Sequence, residues 1–143
     1  MNKFNKKYNY NGKMDPECVD LCNILNALPG IETMGSCWGH GIDSFRIWFK
    51  VKETDEGLFF LTRSVDERYG GTPWKIELSV GDVYTDKYKP IYYQLYTDNC
   101  MGKDVLPAIK RLIDSMNDNL NCEGFLNLYE IDITKFDINY DKY

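Results

Sequence analysis

The chain contains a single histidine, His40, so any imidazole chemistry it performs rests on one residue. No apolar run approaches the ~18 residues of a membrane-spanning helix, which argues against a membrane protein. Basic residues are outnumbered, 17 Lys and Arg against 22 Asp and Glu. The resulting net charge of −5 argues against a general nucleic-acid binder, because phosphate contacts need clustered cations. Lys3, Lys6, Lys7 and Lys13 make the N-terminus locally basic, yet it lacks the apolar core of a secretion signal, so a cytoplasmic location is expected. The five cysteines (Cys18, Cys22, Cys37, Cys100 and Cys122) are odd in number and irregular in spacing, so reduced thiols are expected rather than a disulfide framework. No low-complexity linker interrupts the chain. Its 143 residues predict a leader over 1–14, flexible or loosely docked, and one domain over 15–143 that can bury a core unaided.

The sharpest punctuation lies in Gly30-Ile31-Glu32-Thr33-Met34-Gly35-Ser36-Cys37-Trp38-Gly39-His40-Gly41, which holds four of the eleven glycines and the lone histidine. Glycines this dense let the backbone adopt positive φ and approach a neighbour closely. A thiol, an indole and an imidazole between them are more than a plain turn requires.

Hydrophobic periodicity places the other elements around this loop. Asp15-Pro16-Glu17 reads as a helix start with a capping carboxylate, followed by Cys18, Leu21, Cys22, Leu25 and Leu28 on one face. Residues 31–37 are short enough for a strand. Phe45, Ile47 and Phe49 alternate with Arg46, Trp48 and Lys50, and strands are also expected at 74–80 and 91–97. A second helix carries Leu58, Leu61, Val65 and Tyr69 before Gly70-Gly71, with a polar loop at 81–90. A third runs from Asp104 through Met116, to end at Asn117-Asp118-Asn119. The pattern beyond is ambiguous, and Phe125 to Ile133 could form a fifth strand. The class is α+β, in α-β-β-α-β-β-α order, with an antiparallel sheet carrying helices on the face of Phe49, Leu78 and Leu95. Two α-β-β units in tandem predict a circularly permuted ferredoxin-like layout.

Three chemistries compete for the loop. Cys37-x-x-His40 with Cys18-x-x-x-Cys22 has the spacing of zinc ligands, but Cys18 and Cys22 share a stripe with Leu21 and Leu25, where cysteine behaves as a small core residue. Neither a metal nor a cofactor is therefore expected. Cys37 beside His40 could act as an activated nucleophile with glycine amides as oxyanion donors, although no acid is identifiable to orient the imidazole. Ligand binding is the third. Arg46, Trp48, Tyr92 and Tyr96 fall on the sheet face opposite the helices, where aromatics and cations can hold a planar, charged molecule. The tail or a second copy of the chain covering that face is the alternative.

The segment Leu28-Pro29-Gly30-Ile31, Thr33, Ser36-Cys37 and Gly39-His40-Gly41, leading into an Ile/Phe-rich strand, resembles a group of short bacterial and phage proteins carrying a Ser-Cys-x-Gly-His-Gly loop. Over about residues 21–51 it also resembles the start of the wybutosine-synthesising tRNA methyltransferase family, which has arginine where this chain has His40. The later signature segments of that family are missing. The resemblance implies a shared loop geometry at Ser36, Cys37 and Gly39, not the methyltransferase activity, its cofactor or its tRNA substrate.

The expected function is binding of a small molecule or a protein partner, with Ser36, Trp38 and Gly39 on the rim, Arg46, Trp48, Tyr92 and Tyr96 on the sheet face, and His40 at the pocket mouth. A small enzyme acting on a nucleotide or modified RNA through Cys37 and His40 is the second reading. A phage-type interaction or inhibitor module, working through the aromatic sheet face and the acidic surface, is the third, and the same aromatic face could also pair two copies of the chain as a homodimer.

Overall fold

The structure, a computed structural model, describes residues 2–5, 14–65, 73–81 and 91–139. Helix α1 spans Pro16–Ala27, with proline at its first position and Glu17 in the first turn, where the unpaired amides favour both. The chain then turns at Gly30, φ 82°, where a Cβ would lie 2.1 Å from the Thr54 carbonyl oxygen, so only glycine fits. Strands β1 (Ile31–Cys37) and β2 (Ser44–Val51) follow, then α2 (Glu56–Ser64), β3 (Trp74–Val80) and β4 (Ile91–Met101). A 3-10 turn at Gly102–Asp104 leads into α3 (Val105–Leu120), α4 (Glu123–Leu128) and a 3-10 turn at Ile133–Lys135. The α-β-β-α-β-β-α order is as expected, and the α+β class with it. All pairings are antiparallel in one four-stranded sheet ordered β1-β2-β4-β3.

The period-two pattern decides the faces. Phe45, Ile47, Phe49 and Leu95 are fully buried, while Arg46, Trp48 and Lys50 between them are only partly covered. The helices lie against the first set. Helix α1 packs on β1 and α3 packs on β4, bringing Leu21, Leu25, Val105, Ala108 and Met116 into the core. Polar bonds fix this docking: Asn26 Nδ2 donates to Thr33 Oγ1 at 2.9 Å, and the Thr33 N–H returns a bond to Asn26 Oδ1 at 2.8 Å. Because both groups are buried, leaving either unpaired would cost about 1–3 kcal/mol.

The structure corrects or refines four expectations. Leu78 lies on the helix-side face, as expected, but is 61% exposed on the edge strand β3. The third helix continues through Asn117 to Leu120, since Asn117 is buried and its Nδ2 donates to the Ile113 carbonyl instead of ending the helix. Phe125 to Ile133 is not a strand. Phe125 and Tyr129 lie one helical turn apart with rings 5.0 Å from each other, and they pack on Phe60 and Phe59 of α2. An i, i+4 pair shares one face in a helix and in a strand alike, so periodicity alone does not choose between them, and the ring contacts with α2 favour the helix. Finally, of the leader expected to be flexible or loosely docked, Asn2–Asn5 is docked, through Phe4, which is 2% exposed and bridges Ile138. The expected end of the second helix near Tyr69 and the loop at 82–90 lie outside the described residues. No described helix is long and apolar enough to cross a membrane.

Candidate functional site

The end of β1 is re-aimed by a bulge. Thr33 pairs with Phe49, but Gly35 pairs with Trp48, so Met34 is the extra residue. From there Ser36 faces Ile47 and the helix side, while Cys37 lies across from Arg46. Without the insertion, Cys37 would share the buried face of Ile31 and Thr33. Bulges commonly turn a side chain out of a core in this way.

Beyond the strand, Gly39, His40 and Gly41 are three successive left-handed residues, with φ 93°, 53° and 86°. The Gly39 carbonyl accepts the N–H groups of both Ile42 and Asp43, closing the turn. A side chain at Gly39 would sit 2.1 Å from the Asp43 carbonyl oxygen, so this glycine is required by contact as well as by φ. Left-handed geometry at a residue with a Cβ is unusual and concentrates at sites of function. At His40 it presents the imidazole toward the start of α1.

There it meets an acid. His40 Nε2 lies 3.8 Å from Asp15 Oδ2, and that oxygen also accepts the Trp38 N–H at 3.1 Å. The Trp38 ring stands edge-on to the imidazole, centroids 5.7 Å apart. One ring nitrogen of His40, the Cys37 Sγ and an Asp15 carboxylate oxygen lie within 4.8 Å of one another. Asp15 is the residue that sequence reasoning missed. Asp-Pro at a helix start signals a cap, yet its side chain makes no capping hydrogen bond and turns instead to the loop.

Cys18 and Cys22 do not join this trio. Burial pushes their thiols up to about 12 and about 11, with the hydrogen bond from the Ser36 side chain pulling the other way. They are neutral core thiols at pH 7, and Ser36, expected on the rim, is turned toward them.

On the open sheet face Arg46 is opposite Tyr96, and Trp48 is opposite Gln94. Arg46 reaches Gln94 Oε1 and Asp43 Oδ1, each at 3.4 Å. The Tyr96 hydroxyl donates to Glu77 Oε1 at 2.6 Å, which raises its pKa. Tyr96 is therefore held by β3, whereas Trp48 and Tyr92 are only partly covered. The described tail takes no part here: Phe136 and Ile138 are buried in the core, Phe136 against Phe60. A separate cleft of about 610 Å³ opens in the helical layer beside Arg63, Arg111, Phe125 and Tyr129, and no loop residue lines it. Its mixed, open lining brings together no thiol–imidazole–acid set, so the loop remains the better chemical candidate.

No family model, no curated protein and no solved structure matches this chain. The functional reading therefore comes from the geometry of the loop.

Proposed function

We propose that this protein is a binding module whose ligand site is the Cys37–Gly41 segment, closed by Asp15 and continued by the sheet face of Arg46, Trp48 and Tyr92. The observation that carries this reading is the convergence of Asp15, Cys37 and His40 at the exit of a bulged edge strand. Polar groups meeting at one point, next to a partly open aromatic face, suit a small molecule with a polar head and a planar body. The sheet order β1-β2-β4-β3 supports the permuted ferredoxin-like reading of the scaffold, in which the loop lies at a sheet corner.

The catalytic alternative, a small enzyme acting on a nucleotide or modified RNA, gains an acid in Asp15. A nucleophile–base–acid relay, however, needs the thiol on one imidazole nitrogen and the carboxylate on the other. Here one nitrogen lies close to both, an arrangement that favours holding over proton relay.

Native mass spectrometry of the full chain tests the binding reading. A retained organic mass on the monomer, lost in Trp48→Ala, is the expected result. A bare dimer that dissociates in Trp48→Ala would overturn it in favour of an interface. Loss of a turnover with Cys37→Ala, in a folded protein, would favour the enzyme.

A further inference from the structure

The trio has the composition of a metal site. Thiolate sulfur, imidazole nitrogen and carboxylate oxygen are the three donor types that zinc accepts, and three protein ligands leave a fourth position open. Tetrahedral bonds of about 2.0–2.3 Å place ligand atoms roughly 3.3–3.7 Å apart. The Asp15–His40 separation of 3.8 Å is already near that value, and the 4.8 Å limit on the trio leaves about 1 Å to close. The loop can supply that movement, since His40 is 63% exposed.

Three further observations fit. A metal needs its ligands aimed at one point, and here a single imidazole nitrogen lies close to both other donors. Ligating carboxylates are normally held by an outer hydrogen bond, and the Trp38 N–H supplies one to Asp15. The left-handed backbone at His40 has no core-packing role, because the ring is solvated. It serves to aim the nitrogen.

Resting on the binding reading above, we propose that Asp15, Cys37 and His40 bind a zinc-class divalent ion, with the fourth position left for water or for a donor atom of the ligand. Cys18 and Cys22 stay outside the coordination sphere.

Cobalt(II), added to the chelator-washed full chain, is the probe. The expected result is one ion per chain with a thiolate-to-cobalt charge-transfer band. Cys37→Ser should abolish the band. His40→Asn, which tolerates the left-handed backbone, should weaken binding at least about tenfold. Cys22→Ala should leave both unchanged. Absence of 1:1 binding, a band that survives Cys37→Ser, or a band lost in folded Cys22→Ala would overturn the site. The binding reading has its own readout: an organic mass retained by chelator-washed protein would keep it standing even if cobalt fails to bind.

Discussion

Asp15 Oδ2 receives the Trp38 amide at 3.1 Å and lies 3.8 Å from His40 Nε2, so one carboxylate ties the start of α1 to both sides of the Gly39 turn. Its two roles can be separated. Asp15→Asn keeps an acceptor for the amide and loses the charge. Because His40 is largely exposed, that charge contributes at most about 1 kcal/mol. Asp15→Ala leaves a part-buried N–H without its acceptor and should cost about 1–3 kcal/mol. Urea denaturation of the two variants should rank them in that order, and equal losses would mean that the bond to Trp38 contributes nothing.

The glycines of the turn give a second prediction. Gly39→Ala combines a left-handed φ with a Cβ 2.1 Å from a backbone oxygen that cannot move away cheaply. Gly41→Ala has the same backbone problem but open space around its Cβ. The Gly41 variant should lose about 1–2 kcal/mol, and the Gly39 variant clearly more, with the loop displaced. Thermal melts with amide chemical shifts at Trp38 and Asp43 would read the difference.

Much of the fold was legible because it follows local periodicity. Phe45, Ile47 and Phe49 alternate with polar neighbours, and the buried face is the one that alternation names. Cys18 and Cys22, on a leucine stripe, are core residues as the stripe implies. What stayed hidden depends on contacts distant in sequence. Phe125 and Tyr129 carry no signal choosing helix over strand until the Phe59 and Phe60 rings receive them. The bulge at Met34 changes the phase of β1, so Ser36 and Cys37 exchange faces relative to a regular strand. Asp15 looked like a cap because capping is a local rule, whereas its partners are Trp38 and His40.

Alkaline pH should destabilise the protein through its buried thiols. Burial raises Cys18 to about 12 and Cys22 to about 11, against 9.0 for a free thiol. A raised folded value means that the unfolded chain gives up its protons first. The stabilising contribution is therefore complete below pH about 9 and is lost as pH rises toward 11 and 12. Denaturant midpoints should fall across that window, and Cys22→Ala should flatten part of the fall. A midpoint independent of pH between 9 and 11 would show that these thiols are not buried as described. Under a thiol reagent at neutral pH, exposed Cys122 should react first, and Cys18 and Cys22 only on unfolding.

Asn23 offers a test of the core itself. It is buried in α1 beside Cys22 and Ile24, and among the described residues neither its amide nitrogen nor its amide oxygen has a hydrogen-bond partner. An unpaired buried amide costs about 1–3 kcal/mol relative to the solvated chain. Leucine has the same branching at Cγ without polar atoms, so Asn23→Leu removes the penalty with little change in shape. The expected outcome is a protein more stable by about 1–2 kcal/mol, with an unchanged circular dichroism spectrum and unchanged cobalt binding, because Asn23 takes no part in the Asp15, Cys37 and His40 cluster. Phe49→Ala, by contrast, empties a fully buried site stacked on Tyr93 and should cost about 3–5 kcal/mol. If Asn23→Leu is destabilising instead, the amide has a bonding partner in solution, such as ordered water, and its burial stabilises rather than strains the helix.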